Sequence, residues 1–509
     1  MKQIISTILL VLLCLPLSAQ EVVKLLEPAY ADSAEVYQQS VYVPQKWNKC
    51  RVVLSIERPL GATSVRVNDR EAGGDSALAV PHRIDVTRYI VAGKRNAIEI
   101  KVAGQDSRGM LGSVELRAQP DYLYINKVNL HPRPYGAAVG VELDLRGDSP
   151  YYGFYGVQFL VQHEDKDSAN IFVSNHDIWA NHMKYDVAIP EQDRFWDEFH
   201  PNCYRLAISA GDDYQEMTFG MREAGVVDGQ LFLNRHPIYL RGAVMDDGFA
   251  EWGGRMPTDV ASWERIFRRL ESLGLNHVKF SGYCPVDAAF CAADRVGLYL
   301  QPEARSKFEM GRIADVYGHH PSLVLMSMGD STYVWNDGHI VPVRLSQSVI
   351  RGENLTDYKL GVEQRLLSDD GGGHILLGGL LDKSLDENEF TQFCRPIIPL
   401  VRLPRTSYAR QDTLRAQVEV YNAMYGHLHG VRTSYYLTTD SGRVVAGGLV
   451  ASGDIPLSPR TPVGEVVFPL DSIPADCRKL TLTLTVGSSS VRNHWDIEVG
   501  AGESTSINQ

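Results

Sequence analysis

Cysteine is scarce in this chain and scattered. Of seven among 509 residues, Cys14 lies near the start, and Cys50, Cys203, Cys284, Cys291, Cys394 and Cys477 have neither the close pairing of a zinc site nor the density of a disulfide scaffold. Buried free thiols are therefore expected; Cys284 and Cys291 are close enough in sequence to invite a bridge, but at a helix start they point to different neighbours. Clusters of Lys and Arg are missing as well. With a formal net charge of −12, this argues against nucleic acid as a partner, because binding phosphate backbones requires concentrated positive charge. Neutral sugars suit such a surface better. Past the first residues no apolar run is long enough to cross a bilayer, so no membrane span is expected. There is no internal repeat and no low-complexity tract. Asp369-Asp370-Gly371-Gly372-Gly373 reads as a turn rather than a metal loop, and His319-His320 has no second ligand cluster beside it in sequence. Neither a metal nor a cofactor is expected.

The first nineteen residues have a basic start at Lys2, an apolar run from Ile8 to Leu15 and a small-residue exit at Leu17-Ser18-Ala19. They read as a secretory signal over 1–19, implying export to the periplasm or the extracellular space. Lipidation at Cys14 is disfavoured because the bulky Leu13 precedes it.

At about 150 residues per domain, the length implies three or four domains. Between Val36 and Val102, short alternating runs such as Ser64-Val65-Arg66-Val67 are broken by Asn68-Asp69 and Gly93-Lys94 turns, the pattern of an antiparallel sandwich. A second series, including Val141-Glu142-Leu143-Asp144-Leu145 and Phe154 to Phe159, reads as an immunoglobulin-like sandwich. The rhythm then changes. From Pro257 to Leu273 the residues Val260, Trp263, Ile266, Phe267, Leu270 and Leu273 recur at spacings of three and four with Gly274 beyond, which predicts an amphipathic helix. Apolar runs at Ile238–Leu240, His277–Phe280, Leu298–Gln301 and Leu323–Ser327, with a helix at Ala288–Val296, predict strand-helix alternation and parallel pairing. Alternation returns after Pro399, as in Leu480 to Val486, and predicts a closing sandwich.

Several stretches resemble family 2 glycoside hydrolases, the group of β-galactosidases, β-glucuronidases and β-mannosidases. Phe195-Trp196-Asp197-Glu198-Phe199-His200-Pro201-Asn202-Cys203-Tyr204 and Phe219-Gly220-Met221-Arg222-Glu223 resemble the segments that lead into that family's barrel. Leu233 to Gly242 resembles its first strand, Gly274 to Glu303 its second and third, and His320-Pro321-Ser322-Leu323-Val324-Leu325-Met326-Ser327-Met328-Gly329 its fourth. The resemblance covers nearly the whole mature chain. It implies a multi-domain β plus α/β protein: a galactose-binding-like jelly roll over 20–118, an immunoglobulin-like β-sandwich over 119–233, an incomplete TIM (β/α) barrel over 234–395, and a C-terminal β-sandwich over 396–509.

Retaining glycosidases need two carboxyl groups about 5–5.5 Å apart, one to protonate the leaving oxygen and one to attack the sugar. Where the resemblance calls for the acid/base Glu this chain has Ser331, whose hydroxyl is too weak an acid. Asp330, one residue earlier, is the remaining catalytic candidate, although on a strand it faces away from Ser331. No nucleophile is found. About forty residues separate Ser331 from Gly373, too few for the missing βα units, and His374 to Asp382 resembles the closing strand. A full barrel takes about 250 residues, whereas Asn234 to Leu385 supplies about 150. Glu353 and Glu363 are assigned surface or helix roles. By resemblance the cleft also has Lys279 for an Arg, Ser281 for a His and Tyr283 for a Trp; Glu303 survives at a strand's carboxyl end. Glu303, Lys279 and Tyr283 are the candidate substrate-binding residues. The expectation is a catalytically impaired, carbohydrate-binding pseudo-glycosidase, with an active exo-β-glycosidase of β-galactosidase type as the alternative. Homo-oligomerisation through an open sheet edge is a further possibility.

Overall fold

The structure, a computed structural model, describes residues 22–26, 36–103, 109–147, 155–164, 172–189, 194–246, 256–345, 347–368, 372–380 and 383–500. The expected signal over 1–19 and the Asp369-Asp370-Gly371 part of the glycine-rich loop lie outside these residues. The protein is mostly β-sheet with few helices. It divides into two compact units: Met1–Glu223 with Asp247–Glu264 and Gly282–Val341, and Ala224–Asp246 with Arg265–Ser281 and Pro342–Gln509. No helix among the described residues is long and apolar enough to cross a membrane.

In the first unit, one four-stranded sheet has the order Val22–Leu26, Met110–Pro120, Cys50–Pro59, His82–Asp85. A second has the order Val36–Tyr42, Arg95–Ala103, Ala62–Val67, Arg70–Asp75. The alternation seen in the sequence becomes burial: along Arg95–Ala103 the residues Asn96, Ile98, Ile100 and Val102 point inward and their neighbours outward. Leu54, Ile56 and Leu116 of one sheet share a core with Val65, Ile98 and Ile100 of the other. Each such side chain contributes about 1.5–3 kcal/mol through removal from water. Further along, a three-stranded sheet (His182–Ala188, Ala138–Arg146, Tyr124–Arg133) and a four-stranded one (Phe172–Asp177, Gly156–His163, Cys203–Ala210, Asp213–Gly220) enclose Val141, Leu143, Phe159, Tyr204 and Leu206.

Two of the motif stretches meet in this unit. Trp196 N–H donates to the Met221 carbonyl at 3.0 Å, and the fully buried Trp196 indole donates to the Asp294 carbonyl at 2.8 Å. The buried Arg222 guanidinium donates to the carbonyls of Leu323 (2.5 Å), Pro321 (2.8 Å) and Trp335 (3.2 Å). Together they fasten the second pair of sheets to the α/β segment that follows: helix Asp287–Val296, strand Tyr299–Gln301, helix Lys307–Tyr317 and strand Leu325–Met328. Parallel bridges Leu300↔Leu323 and Glu303↔Ser327 join the two strand regions.

In the second unit, strands His277–Phe280, Arg241–Met245, Ile375–Gly378 and Ile350–Arg351 lie side by side in that order, all parallel. Helix Leu355–Leu367 opens with a reciprocal cap between Asn354 and Asp357. Its buried Tyr358 hydroxyl donates to the Gly378 carbonyl at 2.8 Å, holding the helix on the sheet. The chain closes with a three-stranded sheet (Ile397–Arg402, Thr413–Asn422, Ser458–Pro469) and a five-stranded one (Ser407–Ala409, Ser488–Gly500, Lys479–Val486, Leu428–Thr439, Val444–Ile455) around Leu414, Val418, Leu480, Leu482 and Ile497. The helix expected at Pro257 to Leu273 runs Val260–Ser272, with Trp263 and Phe267 fully buried.

Candidate functional site

The candidate residues of the first unit gather at the carboxyl ends of its two parallel strands. Glu303 follows Tyr299–Gln301 and pairs with Ser327. Its N–H donates to the Tyr283 carbonyl at 3.0 Å, and its carboxylate accepts from the Gly282 N–H at 2.9 Å. Glu303 and the half-buried Tyr283 are thus brought together, and one carboxylate oxygen of Glu303 already braces the turn beneath Tyr283.

Asp330 and Ser331 are placed differently from the expectation. Leu325–Met328 ends at Gly329, whose φ of +56° is left-handed. Gly329 and Asp330 then form a tight turn, and Ser331 begins the strand Ser331–Asn336, which returns antiparallel with Met328 opposite Ser331. The two residues therefore do not alternate along one strand; both are exposed at a hairpin turn. A second turn follows at Asp337-Gly338, where φ is positive at both residues. It leads into a further strand, His339–Val343.

Lys279 belongs to the second unit, on strand His277–Phe280, where its ammonium donates to the Gln347 side chain at 3.1 Å. The closing strand Ile375–Gly378 is wholly buried and carries no carboxylate. Before it, burial lowers the pKa of His374 to about 4, with Arg365 adding to the effect, so the ring stays neutral and its Nδ1 accepts from the Leu240 N–H at 3.0 Å. Glu363 lies on helix Leu355–Leu367 but is not a free surface carboxylate. It accepts from the Asn493 amide and the Trp495 indole, each at 2.9 Å, while burial raises its pKa.

One cluster was not visible in the sequence. His320, only 2% exposed, donates from Nδ1 to the wholly buried Asp294 at 2.6 Å and from Nε2 to Asp287 at 3.3 Å. Burial alone would lower its pKa, but the Asp294 charge and the hydrogen bonds from both carboxylates outweigh burial and raise it to about 10. His319, whose ring is tilted against it at 4.1 Å between ring centres, is driven down to about 3 by burial and then by the His320 charge. The Cys291 thiol donates to Asp287 at 3.5 Å. The sequence reading found no second ligand cluster for His319-His320; folding brings Asp287 and Cys291 to it from 29 to 33 residues away. The signal available was Asp287 and Cys291 at helical i, i+4 spacing. None of the six described cysteines forms a disulfide; Cys203, Cys284, Cys394 and Cys477 are buried and Cys50 and Cys291 partly so.

A family profile described as "Domain of unknown function (DUF8488)" matches residues 412–499. A protein of Formosa agariphila named "Putative beta-glucuronidase" is 22% identical over 344 residues, 60% of this chain and 41% of that protein. A β-galactosidase of Vibrio cholerae is 23% identical over 188 residues, 32% of this chain and 18% of that enzyme. The chain thus matches well under two thirds of the length of either relative. Among solved structures, the β-D-mannosidase of Dictyoglomus thermophilum superposes with a TM-score of 0.67 at 13% identity, covering 91% of this chain and 82% of that one. A glycosyl hydrolase family 2 member from Bacteroides cellulosilyticus gives 0.57 at 12%, covering 92% and 77%. At these identities the likeness is one of fold. The chain shares the multi-domain, β-rich fold of these two proteins. The chain is thus similar in fold to a family 2 glycosyl hydrolase and a β-mannosidase, and similar over part of its sequence to a protein named as a β-glucuronidase.

Proposed function

We propose that this chain is a carbohydrate-binding pseudo-glycosidase of carbohydrate metabolism, exported by way of residues 1–19. In this reading the barrel over 234–395 is incomplete and flanked by the jelly roll (20–118), the immunoglobulin-like sandwich (119–233) and the closing sandwich (396–509). The observation that carries it is the exposed turn at Gly329–Ser331. Where the resemblance requires a carboxylic acid there is a serine hydroxyl, and the chain doubles back as a hairpin instead of entering a helix. A hydroxyl cannot donate a proton to a leaving glycosidic oxygen at useful rates. Glu303, Tyr283 and Lys279 remain as polar and flat groups suited to sugar hydroxyls and ring faces.

The test is turnover of aryl β-galactoside, β-glucuronide and β-mannoside by the purified chain, with Asp330→Asn alongside, and calorimetric titration with oligosaccharides. No turnover above background is expected, together with measurable binding that Tyr283→Ala or Lys279→Ala weakens. Cleavage abolished by Asp330→Asn would establish an active exo-β-glycosidase instead. No heat across a broad oligosaccharide panel would remove the binding role. Sedimentation of the same material tests pairing of two copies through the open sheet edge.

A further inference from the structure

We propose that Asp287, Cys291 and His320 form a binding site for a thiophilic divalent cation, Zn²⁺ in the first instance. The first two lie one helical turn apart on Asp287–Val296 and so share a face. His320 reaches that face from the loop ahead of strand Leu325–Met328. Asp287 Oδ1 lies 3.3 Å from His320 Nε2, and Asp287 Oδ2 lies 3.5 Å from Cys291 Sγ. The three ligand atoms fall within 4.8 Å of one another. A tetrahedral zinc ion with bonds of about 2.0 Å to nitrogen and oxygen and about 2.3 Å to sulfur needs N···O and S···O separations of roughly 3.3 and 3.5 Å. The Asp287 carboxylate offers one oxygen at each of those distances, Oδ1 towards His320 and Oδ2 towards Cys291.

The surroundings fit as well. The other ring nitrogen of His320 donates to Asp294, itself fixed by the Ser322 N–H at 3.0 Å. A carboxylate behind a ligating histidine is the usual means of fixing its tautomer and raising its basicity. The Asp287 side chain is 52% exposed, so the cation has a path from solvent, and three protein ligands leave a fourth position for water. Thiolate with imidazole selects zinc or cobalt over magnesium and calcium, which prefer all-oxygen sites.

Binding exchanges protons for metal. As the metal bonds form, the Nε2 proton of His320 and the Sγ proton of Cys291 leave to solvent, while Asp287 is already ionised beside the His320 charge. Metal affinity therefore rises with pH. Among the described residues, the groups within electrostatic reach include Asp294, His319, Tyr317, Arg295, Arg83 and Glu57.

Co²⁺ is the probe, titrated into the full chain at mildly alkaline pH. Expected is a thiolate-to-cobalt charge-transfer band that saturates at one cobalt per chain, strengthens as pH rises and is displaced by Zn²⁺. Cys291→Ser, with an unchanged near-UV circular dichroism spectrum, loses the band; Asp287→Asn, which keeps the thiol, binds about tenfold more weakly or worse. Absence of the band in the folded wild-type chain overturns the proposal, as does a band that survives Cys291→Ser. Should Cys291→Ser fail to fold, Asp287→Asn decides: affinity equal to wild type overturns the site.

Discussion

His320 Nδ1 and Asp294 Oδ2 lie 2.6 Å apart with both side chains closed to solvent. This is a buried ion pair between helix Asp287–Val296 and the loop that precedes strand Leu325–Met328. Removing one partner leaves a charge or a donor stranded, so Asp294→Asn is expected to cost about 3–5 kcal/mol in chemical denaturation.

The same pair sets a pH dependence whose sign follows from the histidine pKa values. His320 sits near 10 in the folded chain against 6.5 when exposed, so its contribution is complete below about 6.5 and fades as pH climbs towards 10. His319 is depressed to about 3, so its contribution is present above 6.5 and fades as pH falls. Melting temperature against pH is expected to slope down on both sides of near-neutral, and Asp294→Asn to flatten the alkaline limb. An alkaline slope unchanged in that variant would show that His320 is not the titrating group.

Glu363 ties helix Leu355–Leu367 to strand Ser488–Gly500 through Asn493 and Trp495. Glu363→Ala leaves an indole N–H and an amide without their acceptor and is expected to lose about 1–3 kcal/mol, with Glu363→Gln losing less. Urea unfolding followed by tryptophan fluorescence measures this, and oligosaccharide binding should not change.

Gly274 ends helix Val260–Ser272 at φ +80°, and a Cβ there would come within 2.1 Å of the Cys394 carbonyl oxygen. Both the backbone angle and the space demand glycine. Gly274→Ala is expected to destabilise by more than about 1 kcal/mol, seen as a lower melting temperature. An unchanged melt would mean that the helix end can relax at little cost.

Much of the architecture was legible because burial on a sheet follows alternate residues and burial on a helix follows every third or fourth. Arg95–Ala103 and Val260–Ser272 are examples of each, and both formed within a few residues of expectation. After Ser331 the chain forms a hairpin, Ser331–Asn336 and His339–Val343, because Asp337 and Gly338 both take positive φ. The placement of Asp330 was misread because the apolar run up to Met328 gives no sign of where its strand stops. Only the left-handed Gly329 fixes that point.

The sequence by itself determined the local periods, the turn residues and the residue types at the motif positions, since these depend on neighbours only a few places away. Only the tertiary structure decided which distant groups share a space: His320 with Asp287, Cys291 and Asp294, Glu363 with Trp495, Glu303 with the turn under Tyr283. Such meetings arise from the packing of whole helices and strands, and a one-dimensional pattern carries no record of the distances that packing leaves between side chains.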